Sequence, residues 1–160
     1  MGGMAKFPTE VDRSITVKAP IDKVYKYLAD VVGSSKCIPG LASCKRVAGD
    51  TYRFTYEERS TGPVSMTVQY TARYDNDGKS TISFAGTAAT GDNTDVDGKI
   101  VLSKSGADAT KITLRQTIAP DTPVPTLLQG LIRGFAQKEA NATAAEYLAN
   151  VKRALEGKKA

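Results

Sequence analysis

Arg13, Glu58 and Tyr70 are the side chains best placed to do chemistry together. Arg13 continues the register of Val11, Ile15 and Val17, and Glu58 that of Tyr52, Phe54 and Tyr56, while Tyr70 stands in a long alternating run. Brought to one pocket, they would supply an acid, a base and an anion holder. An unpaired charge facing a core is costly, so Arg13 and Glu58 need partners or water. The simpler expectation is that both sit at strand ends and reach solvent; the functional one is that they fix the polar head of a bound molecule. Gln116, between Leu114 and Ile118, is the most inward of these polar interruptions. The chain has no His, which removes the commonest general base and transition-metal ligand. Cys37 and Cys44 are too widely spaced for a CxxC pair and read as reduced thiols. Asn93, Asp95, Asp97 and Gly98 are spelled like a calcium loop, but Lys104 stands where the bidentate Glu belongs, so a hairpin is expected. With no Ser/His/Asp set, phosphate loop or metal cluster, no catalytic residue, metal or cofactor is expected.

The elements that must position these groups follow from periodicity. Val11 to Ala19 alternate, which predicts a strand over Glu10–Ala19. Pro20 then opens a helix over Ile21–Ala29, with Ile21, Val24, Tyr25 and Leu28 on one face. A weaker helical turn is expected over Asp30–Lys36, ended by Pro39-Gly40. Strands Leu41–Ala48 and Thr51–Arg59 meet at Gly49-Asp50, and Val64 to Tyr74 reads as one long strand. Further strands centre on Ile82–Ala88, Val96–Leu102 and Ile112–Ile118. Pro120, Pro123 and Pro125 read as an extended linker. From Thr126 to about Glu156 the pattern is helical, roughly 45 Å at 1.5 Å per residue. Leu128, Leu131, Ile132 and Phe135 are expected to hold its first half against the sheet, and Ala140, Ala144, Tyr147, Leu148, Val151 and Leu155 its second. Gly130 and Gly134 lie inside that helix and suggest close approach to the sheet or room for a ligand. One-sided alternation then predicts an α+β domain: a seven-stranded antiparallel sheet curved around a long C-terminal helix, with two short helices between strands 1 and 2.

The single domain is expected over residues 10–156. Residues 1–9 read as a preceding segment whose Met1-Gly2-Gly3-Met4 is a start with an appended remnant, and residues 157–160 as a basic tail. At 160 residues, 41% hydrophobic and 24% charged, the chain is an ordinary globular domain that needs no staple. Its net charge of +5 is dispersed and carries no nucleic-acid signature, so no nucleic-acid partner is expected. No apolar run approaches a membrane span and no signal peptide opens the chain, which points to the cytoplasm.

Several residues carry a resemblance to a known family. Ala19-Pro20, Val24, Leu28, Asp30, Cys37-Ile38-Pro39-Gly40 and Gly62-Pro63-Val64, in an order of elements covering Val11 to Leu155, resemble the START-like (SRPBCC, helix-grip) superfamily of lipid-transfer domains, plant allergen-type carriers and polyketide cyclases. Within it they are most similar to the CoxG-like family, accessory proteins of aerobic carbon monoxide dehydrogenases. That resemblance implies a helix-grip fold and an accessory role, with a small apolar ligand, a partner oxidoreductase and peripheral contact with the inner membrane face. The expected site lies between sheet and last helix, and Phe54, Tyr56, Glu58, Met66, Val68, Tyr70, Phe84, Gln116, Leu131 and Phe135 are its candidate ligand contacts. The alternatives are a cyclase- or dehydratase-like enzyme using pocket Glu, Tyr and Arg groups, and a pure interaction subunit. Leu127, Leu128, Leu131, Ile132 and Phe135, flanked by Arg133 and Lys138, also suit a membrane surface.

Overall fold

The computed structural model describes residues 2–6, 8–61, 64–125 and 128–157; the expected helix start at Thr126, the Gly62-Pro63 pair, Leu127 and the side chain of Met66 lie outside the described residues. After strands β1 (Gly2–Lys6) and β2 (Thr9–Val17) come helices α1 (Ile21–Ala29) and α2 (Val31–Ser34) and a 3-10 turn, Ser35–Cys37. Strands β3 (Leu41–Ala48), β4 (Thr51–Tyr56), β5 (Arg59–Thr61), β6 (Val64–Met66), β7 (Gln69–Asn76), β8 (Thr81–Gly86), β9 (Thr94–Lys104) and β10 (Thr110–Pro125) precede the last helix, α3 (Gln129–Glu156). Seven strands form an antiparallel sheet in the order β2-β10-β9-β8-β7-β4-β3, and β1 joins it as an eighth by pairing with β10. This is the expected helix-grip architecture, with α1 and α2 between its first two sheet strands.

Three differences have physical causes. The N-terminal segment is not outside the fold: Gly2–Lys6 pairs with Asp121–Pro125, in the same register that β2 keeps with β10. The prolines therefore lie in a strand rather than a linker. Asp121 donates its N–H to the Asn93 carbonyl (2.7 Å), away from β1. Pro123 and Pro125 share that parity, so their missing donors fall on the side where β9 has already ended. The expected single strand from Val64 to Tyr74 is broken instead. Asn93 accepts from Gln69 N–H (2.9 Å) and donates to the Thr67 carbonyl, standing in for a neighbouring strand. Before the break, β6 pairs only with β5, in a separate hairpin.

Helix α3 lies along the free edge of β2. Ala144, Leu148, Val151 and Leu155 are buried against the sheet, an apolar stripe worth about 1.5–3 kcal/mol for each large side chain. Side chains then bridge helix to strand main chain. Gln137 accepts from Glu10 N–H (3.1 Å) and donates to Glu10 C=O (2.8 Å). Lys152 donates to Thr16 C=O (3.0 Å), and Glu156 accepts from Lys18 N–H (2.9 Å). Asn150 donates to Cys37 C=O (3.0 Å), tying the helix to the turn before β3. Gly157, at φ 69°, ends the helix in the left-handed conformation that suits glycine.

The first half of α3 departs from expectation. Ile132 is buried, but Leu131 and Phe135 are 56% and 42% exposed and point away from the sheet. Gly130 and Gly134 face open space, with nothing within 4 Å of where a Cβ would stand, so neither permits a close approach. Gly98 does: a Cβ there would stand 2.5 Å from Arg115 O and 2.7 Å from Gln116 Cβ. The inner-face glycine lets β9 and β10 crowd together where the sheet bends. Gly130→Ala and Gly134→Ala should each stabilise the protein by about 0.5–1 kcal/mol. Gly98→Ala should destabilise it by about 1–3 kcal/mol or more. Denaturant unfolding of the three variants checks both signs.

Candidate functional site

The inner face of the sheet divides into two zones along the axis of α3. Under the second half of the helix, Ile82, Leu102, Ile112, Val151 and Leu155 are sealed from solvent. Under the first half, Tyr56, Val68, Gly98, Gln116 and Ile118 of the sheet and Ala136 and Ala140 of the helix remain partly accessible, beside the buried Val11, Val96, Phe54 and Tyr70. The helix side explains the change. Where Gln137 holds α3 to Glu10, the neighbouring helix positions are Ala136 and Ala140, too short to fill the space that Leu148 and Val151 fill lower down. The sheet too carries small residues on its inner face, Ala72, Gly86 and Gly98. Small side chains on both layers are the condition for a cleft between them.

An aromatic row crosses the inner face, with Phe54, Tyr70 and Phe84 buried and Tyr56 and Tyr74 partly accessible. Tyr56, Tyr70, Phe54, Tyr74 and Phe84 follow one another with ring centroids 6.0, 5.0, 6.3 and 5.4 Å apart. Alternation along β4, β7 and β8 puts all five on one face. The Tyr56 and Tyr70 hydroxyls are hydrogen-bonded at 3.2 Å, and the Tyr27 hydroxyl is 3.2 Å from Cys37 Sγ. Burial is the main force on these groups. It pushes the Tyr70 and Tyr74 phenols well above the usual range, helped by neighbouring phenols, and raises Tyr27 and Tyr147 as well. Burial also raises the Cys44 thiol, against a hydrogen bond from Ser35 that lowers it. The interior on this side is thus apolar, studded with neutral hydroxyls and thiols.

Of the sequence-derived candidates, Phe54, Tyr56, Val68, Tyr70, Phe84 and Gln116 come together here. Gln116 faces inward, half-buried, with its Cβ over Gly98. Glu58 does not join them: the strand register ends at Tyr56, and Glu58 is exposed. Leu131 and Phe135 are on the outward face of α3, and Arg13 is exposed on β2. The Asn93–Gly98 stretch, where a hairpin is expected rather than a calcium loop, leads into β9, and among the described residues no group of three His, Cys, Asp or Glu could hold a metal ion. Sequence reasoning passed over Tyr74 and Tyr147 as site residues, counting both as packing. The available signal was tyrosine, rather than phenylalanine, at positions on an apolar face.

A groove of about 660 Å³ is lined by Glu10, Val11, Asp12, Ser83, Asp97, Gly98, Lys99, Arg115, Gln116 and Thr117, most of them on the other side of the sheet. It is open, carries charges of both signs and contains the exposed Asp12–Arg115 ion pair (3.5 Å). Such a surface does not suit an apolar ligand.

Residues 8–156 match the family described as polyketide cyclase/dehydrase and lipid transport. The chain belongs to that family. Solved structures share its fold at low identity. A protein from Thermus thermophilus is 18% identical with a TM-score of 0.72 over 94% of this chain and 99% of that one. The Zhui aromatase/cyclase from Streptomyces sp. R1128 is 19% identical, TM-score 0.64, over 94% and 92%. A START superfamily protein from Mycobacterium smegmatis is 12% identical, TM-score 0.64, over 98% and 100%. No curated protein matches the chain. What the chain shares with these structures is the fold, a curved antiparallel sheet with a long C-terminal helix. No helix among the described residues is long and apolar enough to cross a membrane.

The raised phenols give a pH dependence. A group whose folded-state titration is raised stabilises the fold fully below its unfolded value and loses that contribution as pH rises. Stability should therefore hold up to about pH 10, the ordinary tyrosine range, and fall above it. Phenolate absorbance should show Tyr27, Tyr70, Tyr74 and Tyr147 ionising only as the protein unfolds.

Proposed function

We propose that this protein binds one apolar or amphipathic small molecule, lipid- or quinone-like, in the cleft between the sheet and the first half of α3, as a carrier or accessory protein. The supporting observation is the change along the inner face, from sealed packing under Leu148 and Val151 to partly accessible aromatic and small residues under Ala136 and Ala140. Phe54, Tyr56, Val68, Tyr70, Phe84 and Gln116 are its proposed ligand contacts. The enzyme reading has less support. Of its acid, base and anion holder, Glu58 and Arg13 lie in solvent, although one relative of the same fold is named an aromatase/cyclase. The branch we favour is the CoxG-like one, with a partner oxidoreductase of the carbon monoxide dehydrogenase kind in the cytoplasm. Its motif Cys37-Ile38-Pro39-Gly40 supports this by its structural use here: Cys37 bonds Tyr27 through its thiol and Asn150 of α3 through its carbonyl.

Peripheral contact with the inner membrane face belongs to the same reading. Leu131 and Phe135 stand out from α3 beside the exposed Arg133 and Lys138, an apolar pair with a basic rim. Two measurements test the reading. Nile red, an uncharged apolar probe, should bind one to one, and Ala140→Leu should weaken it by about tenfold or more with little change in stability. A filled core would instead respond to the added bulk with a loss of about 1–3 kcal/mol and no effect on probe binding. Sedimentation with phosphatidylglycerol vesicles should be reduced by Leu131→Ser/Phe135→Ser and by salt; binding unchanged by both would remove the membrane surface from the proposal.

A further inference from the structure

The mixed-charge groove plays no part in the binding of an apolar molecule, and the register of three strands fixes how its charges are arranged. Lys99, Arg115 and Asp12 stand directly across from one another on β9, β10 and β2. Two residues along these strands, on the same face, stand Asp97, Thr117 and Glu10. Neighbouring strands are about 4.8 Å apart and same-face residues of one strand about 7 Å apart, so the two lines run side by side across the sheet. Both line the groove, with Gly98, Gln116 and Val11 between them, around a space of about 660 Å³.

The charges around that space are incompletely paired. Asp12 meets Arg115 at 3.5 Å through Nε, which neutralises one charge of each sign. Lys99 has Arg115 across from it, a like charge, and among the described residues it has no ion-pair partner. Like charges directly across from one another cost stability, a cost that an arriving anion would offset. Asp97 and Glu10 flank Thr117 from the strands on either side, about 10 Å apart, and neither carboxylate has an ion-pair partner among the described residues. Asp97 and Lys99 are only two residues apart on β9, yet they do not close on each other across the groove. One uncompensated cation and two uncompensated anions thus border one space.

We propose that this groove is a second binding site, for a small molecule that carries one carboxylate and two cationic groups: a basic amino acid, or a short peptide containing one. The carboxylate lies against Lys99, within reach of Arg115, and the two cationic groups lie against Asp97 and Glu10. The site is separate from the inner cleft and does not depend on it. Its contacts are exposed ion pairs, each contributing about two- to fivefold in affinity, so binding is weak and is screened by salt.

Three probes isolate the charges: L-lysine, L-norleucine, which lacks the side-chain ammonium, and cadaverine, which lacks the carboxylate. Each is titrated at pH 7 and low salt into isotope-labelled protein, and the amide shifts of Asp97, Gly98, Lys99 and Thr117 are followed by NMR. Lysine should bind saturably in the millimolar range, about two- to fivefold more tightly than either analogue, and the difference should vanish in strong salt. Lys99→Gln should remove its advantage over cadaverine, and Asp97→Asn should reduce its advantage over norleucine. Both substitutions are at exposed positions, so the melting temperature should stay nearly unchanged. The absence of saturable shifts at these amides, equal affinities for all three probes, or an advantage that survives both substitutions would overturn the proposal and leave the groove a solvated surface. Binding of Nile red in the inner cleft is unaffected by any of these outcomes, so the two sites fail separately.

Discussion

The free edge of β2 is the constraint on which the molecule depends. An edge strand presents unpaired main-chain groups that invite another chain, and here α3 covers them. Gln137 meets both main-chain groups of Glu10, Lys152 meets the Thr16 carbonyl, and Glu156 meets the Lys18 N–H. Each bond contributes only about 1 kcal/mol net, but together they fix the helix in translation and rotation against the strand. The apolar stripe supplies most of the attraction without fixing position. Because the helix cannot slide, Ala136 and Ala140 are held at a fixed height along β2, which is where the proposed cleft lies.

The consequence is a division of labour within one inner face. Below, large aliphatic side chains from both layers interdigitate and exclude water. Above, the sheet offers a row of five aromatic rings, and the helix offers methyl groups. The crowding of β9 and β10 at Gly98 brings Gln116 over the glycine and gives this wall a polar interruption that an ordinary strand pair would not have. Hydroxyls that would be out of place in the sealed zone are tolerated in the accessible one.

Much of this was legible in the sequence, and the reasons differ by element. Alternation and the 3.6-residue period are local, so α1 coincides with its expected span and the sheet strands fall close to theirs. The break at Thr67 was not legible, because its cause is a side chain more than twenty residues away, Asn93. The same holds for β1: a Gly-Gly-Met segment has no strand signal of its own and pairs only because β10 outlasts β9. In the site, aromatic positions on alternating strands could be assigned to a face from spacing alone. Leu131 and Phe135 could not, since a helix with apolar residues on two sides does not say which side meets the sheet. Glu58 was lost for a related reason, the register ending two residues before it.

The unequal anchoring of α3 has a thermodynamic consequence. Among the described contacts, lifting its first three turns exposes one large buried side chain, Ile132, and breaks the two bonds of Gln137 to Glu10. At about 2 kcal/mol for the side chain and about 1 for each bond, the opening needs roughly 4 kcal/mol. That is below the 5–15 kcal/mol typical for unfolding a whole domain, so it is a sub-global event in which the lower core stays intact. Roughly one molecule in a thousand would then be open at any moment. A guest too large for the closed cleft would come and go through that minor population, and its exchange rate would be set by the helix rather than by its own diffusion.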